Sequence, residues 1–137
     1  MRVSRQALIY YFQLFFSVQV FSQIAPMRLL DSQYFGLKSL YETMNGAHWK
    51  WHNNGMTNDP KSIQKWTFDS DEDPCIARWE GLKCVKAVQS SENFQLDALE
   101  LSLFNLTGHL LDEIMLNMTT LTRLVLNGNR ISGSLPR

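Results

Sequence analysis

The last third of the chain contains an internal repeat. Residues 96–111, LDALELSLFNLTGHLL, align with residues 121–136, LTRLVLNGNRISGSLP, at an offset of 25. The matching positions are Leu99 with Leu124, Leu101 with Leu126, Leu106 with Ile131, Gly108 with Gly133, and Leu110 with Leu135. A period in the low-to-mid twenties with an LxxLxL pattern is typical of a stacked solenoid. Because one unit cannot bury its apolar strand face by itself, the repeat predicts stacked neighbours and favours recognition over catalysis.

The first 22 residues have the layout of a signal peptide. Arg2 and Arg5 precede a mostly apolar run over residues 7–21, and Val20 and Ser22 occupy the −3 and −1 positions of a cleavage site. The run is shorter than the roughly 20 residues that span a bilayer, so cleavage is favoured over a retained signal anchor. The sequence therefore predicts a secreted, extracellular or cell-surface protein.

The charge balance argues against a nucleic-acid partner. Thirteen basic residues balance thirteen acidic ones. Cleavage after Ser22 removes Arg2 and Arg5 and leaves a net charge of −2. Nucleic-acid binding needs a basic excess, which is absent. No other segment is long and apolar enough to cross a membrane, so contact with a membrane would require the signal anchor or a missing C-terminal segment.

Cys75 and Cys84 are the two cysteines of the chain. An even number of cysteines in an exported protein favours a disulfide. The bond would close a short loop and contribute about 2–3 kcal/mol in the chain-entropy model. The alternatives are two free thiols or half of a zinc site, although a zinc site needs four ligands.

An amphipathic helix is predicted over residues 32–44. Its apolar stripe consists of Tyr34, Leu37, Leu40, Tyr41 and Met44, at spacings of three and four. Asp31 or Ser32 can cap its start, and the Asn45-Gly46 pair supplies a left-handed end. We expect the stripe to dock on the end of the solenoid core.

The segment between this helix and the repeats has little periodicity. Residues 45–74 are rich in Asn, Asp and Gly, and Trp49, Trp51 and Trp66 are predicted to be packing anchors in a loop-rich region. Gly81-Leu82 is interpreted as a turn into a short strand. Residues 85–95 are polar and are expected to form an exposed turn.

These segments together resemble the N-terminal cap and first repeats of plant-type leucine-rich-repeat proteins. The resemblance is carried by LKSLYETMNGAHWKW, residues 37–51, by Trp66, by DPCIARWEGLKC, residues 73–84, and by the repeats, and it covers residues 31–136. The matching cap positions are Leu40, Tyr41, Asn45, Gly46, Trp49, Pro74, Cys75, Trp79, Gly81 and Cys84. The family includes receptor-kinase ectodomains and secreted inhibitors of cell-wall-degrading enzymes, which usually bind partners on a concave strand face.

The resemblance implies an α/β fold, a right-handed leucine-rich-repeat solenoid with a disulfide-tied N-terminal cap and about two repeats. Residues 1–22 would be the signal peptide, 23–95 the cap and 96–137 the repeats. The first repeat departs from the family pattern, because Phe104 replaces the ladder asparagine that Asn129 supplies, and Leu111 stands where the second repeat has Pro136. The chain ends in mid-repeat, so we expect the repeats to be truncated and the chain to be a piece of a longer protein.

The predicted binding residues lie on the outward positions of the two LxxLxL strands. Alternation along a strand assigns Ala98, Glu100 and Ser102, and then Arg123, Val125 and Asn127, to the concave face. The alternative is that two strands are too small a surface, because a specific interface buries roughly 800 Å² per partner.

Two sequons predict glycosylation in an exported chain. They are Asn105-Leu-Thr107 and Asn117-Met-Thr119. The alternative for Asn117 is a polar turn residue on the convex side.

Two metal-like patterns are interpreted as structural. Asp69, Asp71, Asp73 and Glu80 have calcium-loop spacing, but Pro74 occupies the sixth position, where that loop needs glycine. His48 and His52 are four apart but lie in a segment that is not expected to be helical. We therefore expect no metal site and no cofactor.

No catalytic motif is recognised, so the protein is not expected to be an enzyme. The expected function is extracellular recognition of a protein or peptide ligand, possibly glycan-linked, by the N-terminal part of a receptor-like ectodomain in signalling. The alternative is a small secreted inhibitor or binding protein that blocks its partner.

Overall fold

The computed structural model describes residues 26–53 and 63–134. The predicted signal peptide, residues 1–22, lies outside the described residues, as do Leu135 and Pro136 of the second repeat. In chain order the elements are β1 (Arg28–Leu29), α1 (Asp31–Thr43), a 3-10 turn (Gly46–His48), β2 (Leu82–Ala87), β3 (Ser90–Glu100), β4 (Thr107–His109), α2 (Asp112–Leu116), β5 (Arg123–Val125) and β6 (Arg130–Ser132).

The predicted amphipathic helix is confirmed as α1. Its stripe faces the core, where Leu37, Leu40 and Met44 are almost completely buried. Asn45 adopts the left-handed conformation (φ 61°) that ends the helix, as predicted. The predicted cap is wrong, because the residue that precedes the first turn is Leu30 and no side chain caps that turn.

The longest strand, β3, is the centre of a four-stranded mixed sheet. β2 pairs with it in antiparallel orientation along one edge, from Leu82 opposite Leu99 to Ala87 opposite Ser90. β1 and β5 pair with β3 in parallel, at Asn93–Phe94 and at Ala98–Glu100 respectively. Because a strand has only two edges, β1 and β5 share the edge of β3 that β2 leaves open.

The prediction of an exposed polar turn over residues 85–95 is wrong. Only Val88 and Gln89 separate β2 from β3, and the rest of this segment lies in these two strands. The segment has few apolar residues, so its alternation was too weak to predict a strand. The pairing is stabilised instead by backbone hydrogen bonds and by Phe94 and Leu96, whose side chains face the core.

The β2–β3 pairing has an irregularity at Asp97. Lys83 lies opposite Ala98 and Cys84 lies opposite Leu96, so Asp97 is an extra residue on β3. A bulge of this kind reverses the side-chain alternation. It allows Leu96 and Leu99, which are three residues apart, to be buried in the same core, with 0% and 1% of their surface exposed.

The predicted leucine-rich-repeat solenoid is wrong. The described residues form a small mixed-sheet domain with two α-helices and a disulfide, and its main pairing is the antiparallel β2–β3 hairpin. A solenoid needs a series of stacked parallel strands, whereas the repeat supplies two three-residue parallel pairings, β3 with β5 and β4 with β6, which lie in separate sheets. Two units leave one strand unstacked. Leu124 on β5 is accordingly 37% exposed.

The repeat nevertheless sets the register of β3 and β5. Leu99 lies opposite Leu124, at the offset of 25 found in the sequence. The second sheet, β4 with β6, has an offset of 23, since Gly108 lies opposite Ile131. The sequence alignment therefore predicts the pairing of the first strands but not that of the second. The proposed boundary between residues 95 and 96 falls inside β3.

Asn129 and Phe104 occupy equivalent repeat positions but behave differently. The Asn129 side-chain amide donates to the carbonyls of Leu101 (2.6 Å) and Leu126 (2.8 Å), and its oxygen accepts from Leu106 N–H (3.0 Å). Phe104 is buried and packs edge-on against Trp49 and Trp51. The first unit therefore has a buried aromatic side chain where the second unit has a hydrogen-bonding amide.

The predicted tryptophan anchors are confirmed as a cluster. Trp49 contacts Trp51 and Trp66, with ring centroids 5.6 and 5.1 Å apart, and Trp66 stacks on Trp79 at 5.6 Å. The indole N–H of Trp49 donates to Met44 O and that of Trp66 donates to Glu80 O, both at 2.8 Å. Aromatic packing thus supplies the core where regular structure is scarce.

The Cys75–Cys84 disulfide is present, as predicted, with Cα atoms 5.8 Å apart. It ties the turn before Trp79 to strand β2. The described residues contain no free cysteine.

Candidate recognition surface

The outward positions of β3 and β5 and of the segments that follow them form one polar surface. Lys83, Asp97 and Thr122 extend the predicted residues, and we call the whole set the polar sheet face: Lys83, Asp97, Glu100, Ser102, Thr122, Arg123, Val125 and Asn127. Leu96, Leu99 and Leu101 are buried behind it. The inward leucines thereby fix the direction of the outward side chains.

Cross-strand contacts link the predicted residues in pairs. The Arg123 guanidinium lies 3.3 Å from the Glu100 carboxylate. The Ser102 hydroxyl donates to Asn127 Oδ1 at 2.6 Å. The structure therefore brings four of the predicted concave-face residues together, two from each repeat. Val125 lies in register with Glu100 and is half-buried.

Ala98 does not contribute to the surface as predicted. Its position in the register lies between Lys83 and Arg123, and only 3% of it is exposed. A methyl group between two long side chains has little surface left for a partner. The outward direction predicted from alternation therefore does not make Ala98 accessible.

Asp97 is the best-connected member that the sequence did not identify. Its carboxylate accepts from the Thr122 hydroxyl at 2.9 Å and lies 3.3 Å from Lys83 Nζ. The Thr122 hydrogen bond, followed by the Lys83 contact, lowers the pKa of Asp97 below its usual value of 3.8. The bulge at Asp97 places it there, and a bulge has no clear signal in a single sequence.

The polar sheet face is charged but balanced. Lys83 and Arg123 carry positive charge, and Asp97 and Glu100 carry negative charge. Each cation is within 3.3 Å of one anion. Exposed ion pairs of this kind contribute little to stability and are readily exchanged for other partners. The arrangement offers donors and acceptors without a strong field of either sign.

Two of the four acidic residues with calcium-loop spacing, Asp73 and Glu80, accept hydrogen bonds from the backbone. Asp73 accepts from the N–H groups of Leu29, Cys75 and Ile76. Glu80, which is 5% exposed, accepts from the N–H groups of His52 and Asn53 at 3.1 and 3.3 Å.

The two histidines have separate contacts. His48 Nδ1 lies 2.8 Å from Asn45 Oδ1, and His52 Nδ1 lies 3.3 Å from Glu80. Among residues 26–53 and 63–134, no group of three or more His, Cys, Asp and Glu side chains is placed to hold a metal ion.

Both sequon asparagines are half-buried and use their side-chain amides. Asn105 Nδ2 donates to His48 O at 3.3 Å, and Asn117 Nδ2 donates to Glu113 O at 3.1 Å. Glycosylation at Asn105 and Asn117 stays a prediction.

Two features of the structure, the disulfide and the length of the helices, concern the location of the protein. The Cys75–Cys84 disulfide is consistent with an extracellular location. In the part of the chain that the structure describes, neither helix is long and apolar enough to span a bilayer.

Comparison with known proteins identifies no family. No protein-family model matches the chain, and no curated protein is significantly similar to it.

Proposed function

We propose that the protein is an exported recognition module that binds a protein or peptide partner through the polar sheet face. The observation that carries this proposal is the ion pair of Arg123 with Glu100 across the strands of the repeat. This contact places a donor and an acceptor from the two repeat strands side by side on one exposed surface, where a partner can reach both.

The chemistry of the face fits a polar, mixed-charge partner. Lys83 and Arg123 can each turn from an intramolecular carboxylate to one on the partner, and Asp97 and Glu100 can accept donors in exchange. Exposed ion pairs allow such exchanges because they hold their side chains only weakly. A strongly basic or acidic polymer would gain little from a surface whose charges cancel.

The size of the face limits its affinity. A standard specific interface buries roughly 800 Å² per partner, and two short strands supply only part of that area. We therefore propose a weak or transient contact, in the class of signalling encounters. A receptor ectodomain and a small secreted inhibitor both remain hypotheses compatible with such a contact.

Site-specific cross-linking tests this proposal. A photoreactive residue replaces Ser102 in the full chain, which is exposed to the secretions and surfaces of its source cells. A matched chain carries the same group at Val88, which is 89% exposed in the β2–β3 turn. We expect a discrete cross-linked species from position 102 and none from position 88.

Charge reversal provides the second arm of the experiment. Glu100→Lys in the position-102 chain should abolish the cross-link, because it places a third positive charge beside Arg123 and Lys83. Lys38→Glu, at an exposed position on α1, is the matched control and should leave it intact. Equal cross-linking at positions 88 and 102, or a cross-link that survives Glu100→Lys, would contradict the proposal.

A further inference from the structure

A cleft of about 310 Å³ opens beside the tryptophan cluster and shares no residue with the polar sheet face. Three partly exposed rings line it, those of Tyr41, Trp51 and Phe68. We call it the aromatic cleft. Its volume lies at the lower end of the range for small-molecule sites, so it has room for one small ring system.

The partly exposed rings of the cleft pack against buried tryptophans. Trp49 and Trp66 also line it and are only 5% and 2% exposed. Trp51 and Tyr41 pack on Trp49, with ring centroids 5.6 and 5.4 Å away, and Phe68 packs on Trp66 at 6.3 Å. Because buried rings hold the exposed ones, the aromatic faces are in position before a ligand enters.

The polar residues of the cleft come from one short segment. Residues 65–69, KWTFD, alternate polar and aromatic side chains, with Lys65, Thr67 and Asp69 exposed and lining the cleft. The three supply an ammonium donor, a hydroxyl that donates and accepts, and a carboxylate acceptor. Their charges cancel.

This combination selects among ligand classes. A cation would be attracted by the ring faces and by Asp69 but repelled by Lys65. An anion would be attracted by Lys65 but repelled by Asp69 and by the ring faces. A neutral ring with an apolar face and several hydroxyls matches both the aromatic wall and the mixed rim. We propose that the aromatic cleft binds a neutral sugar ring.

Such a ring could belong to a free polysaccharide or to a glycan on another protein. The full chain is titrated with two neutral probes, cellotetraose for the first source and the free high-mannose glycan Man5GlcNAc2 for the second. Tryptophan fluorescence reports binding, and saturation-transfer NMR identifies the sugar protons in contact. We expect saturable binding of one probe, and the probe that binds identifies the source.

Variants connect that binding to the cleft. Trp51→Ala should weaken it at least tenfold through loss of a stacking face. Because this change could also disturb the cluster, Asp69→Asn and Lys65→Met, at exposed positions, should each weaken it at least threefold with an unchanged near-UV spectrum. Val88→Ala, in the β2–β3 turn, is the control and should have no effect.

Three results would overturn the proposal. The first is an absence of saturable binding of both neutral probes, and the second is binding that the three cleft variants leave unchanged. The third is tighter binding of a charged probe, the anion tetragalacturonate or the cation spermine, than of either neutral probe. Failure here leaves the polar sheet face untouched, since cross-linking at position 102 does not depend on the cleft.

Discussion

The side-chain oxygen of Gln33 accepts a hydrogen bond from the backbone N–H of Leu96 at 2.7 Å, across 63 residues of sequence. The Gln33 amide also donates to the Thr120 hydroxyl at 2.5 Å, and that hydroxyl donates to Leu96 O at 2.7 Å. One buried side chain therefore connects α1 to β3 and to the loop before β5. Gln33 is 1% exposed and Leu96 is 0% exposed, so water is not an easy substitute in the hydrogen bond between them.

Gln33→Ala should lower the free energy of unfolding by about 2–3 kcal/mol, because it leaves the buried Leu96 N–H without a partner. Urea denaturation measures the change. Gln89→Ala, at an exposed turn position, is the control and should change stability by less than about 0.5 kcal/mol. Equal effects of the two changes would show that the Gln33 hydrogen bonds are not a structural link.

Asn129→Ala should also destabilise the protein, by about 2 kcal/mol, since the amide serves two carbonyls and one N–H of the backbone. Asn127→Ala removes only an exposed contact with Ser102 and should cost less than about 0.5 kcal/mol. Hydrogen exchange at Leu106 N–H provides a local readout. Exchange there should accelerate in Asn129→Ala and remain slow in Asn127→Ala.

Leu99 and Leu124 lie opposite each other, but Leu99 is 1% exposed and Leu124 is 37% exposed. Leu99→Ala should cost about 3 kcal/mol, in the range for buried leucines. Leu124→Ala should cost about 1 kcal/mol because water already reaches the side chain. Thermal and chemical denaturation of both variants checks the order. A larger loss for Leu124 would mean that its exposed side is covered in the native protein.

Replacing Cys75 and Cys84 together by alanine should reduce stability by about 2–3 kcal/mol, the entropy of closing a short loop in the unfolded chain. The wild-type protein under reducing conditions is the matched comparison and should melt like the double variant. An identical melting midpoint of oxidised wild type and double variant would contradict a stabilising role for the bond.

The Asp97 carboxylate should titrate below its usual pKa of 3.8. A lowered native pKa favours the ionised form in the folded state, so its contribution to stability is present above about pH 4 and is lost as the pH falls through the native value. Carbon-detected NMR of the Asp97 carboxyl gives the pKa directly. Thr122→Val and Lys83→Met should each raise it, because the hydroxyl hydrogen bond and the Lys83 contact both favour the ionised carboxylate. An unchanged pKa in Thr122→Val would contradict the assignment of the shift to the hydroxyl.

The local features were predictable because each has a strong short-range signal. Helix α1 follows from the spacing of Leu37, Leu40 and Met44, and its end follows from the left-handed preference of Asn45. The disulfide follows from an even cysteine count, and the β3–β5 register follows from the repeat. With Leu99 placed opposite Leu124, the cross-strand pairs of polar residues on the sheet face can also be predicted.

The architecture was not predictable, because long-range pairing decided it. Residues 85–95 have little apolar alternation. Most of them nevertheless lie in β2 and β3, which pair as the dominant antiparallel hairpin. The resemblance to leucine-rich-repeat proteins led to a solenoid, which the mixed sheet contradicts. Asp97 joins the polar sheet face only because a bulge turns it there.

The sequence by itself determined several local features: where the helix ends, that Leu99 and Leu101 point inward, and how the first strands of the repeat align. These depend on backbone preference and side-chain spacing, which act over a few residues. The tertiary structure alone decided which edges of β3 are occupied, that Gln33 and Asn129 satisfy buried backbone groups, and that Ala98 is covered. Those outcomes depend on hydrogen-bond partners and on neighbouring side chains that come together only when the chain folds.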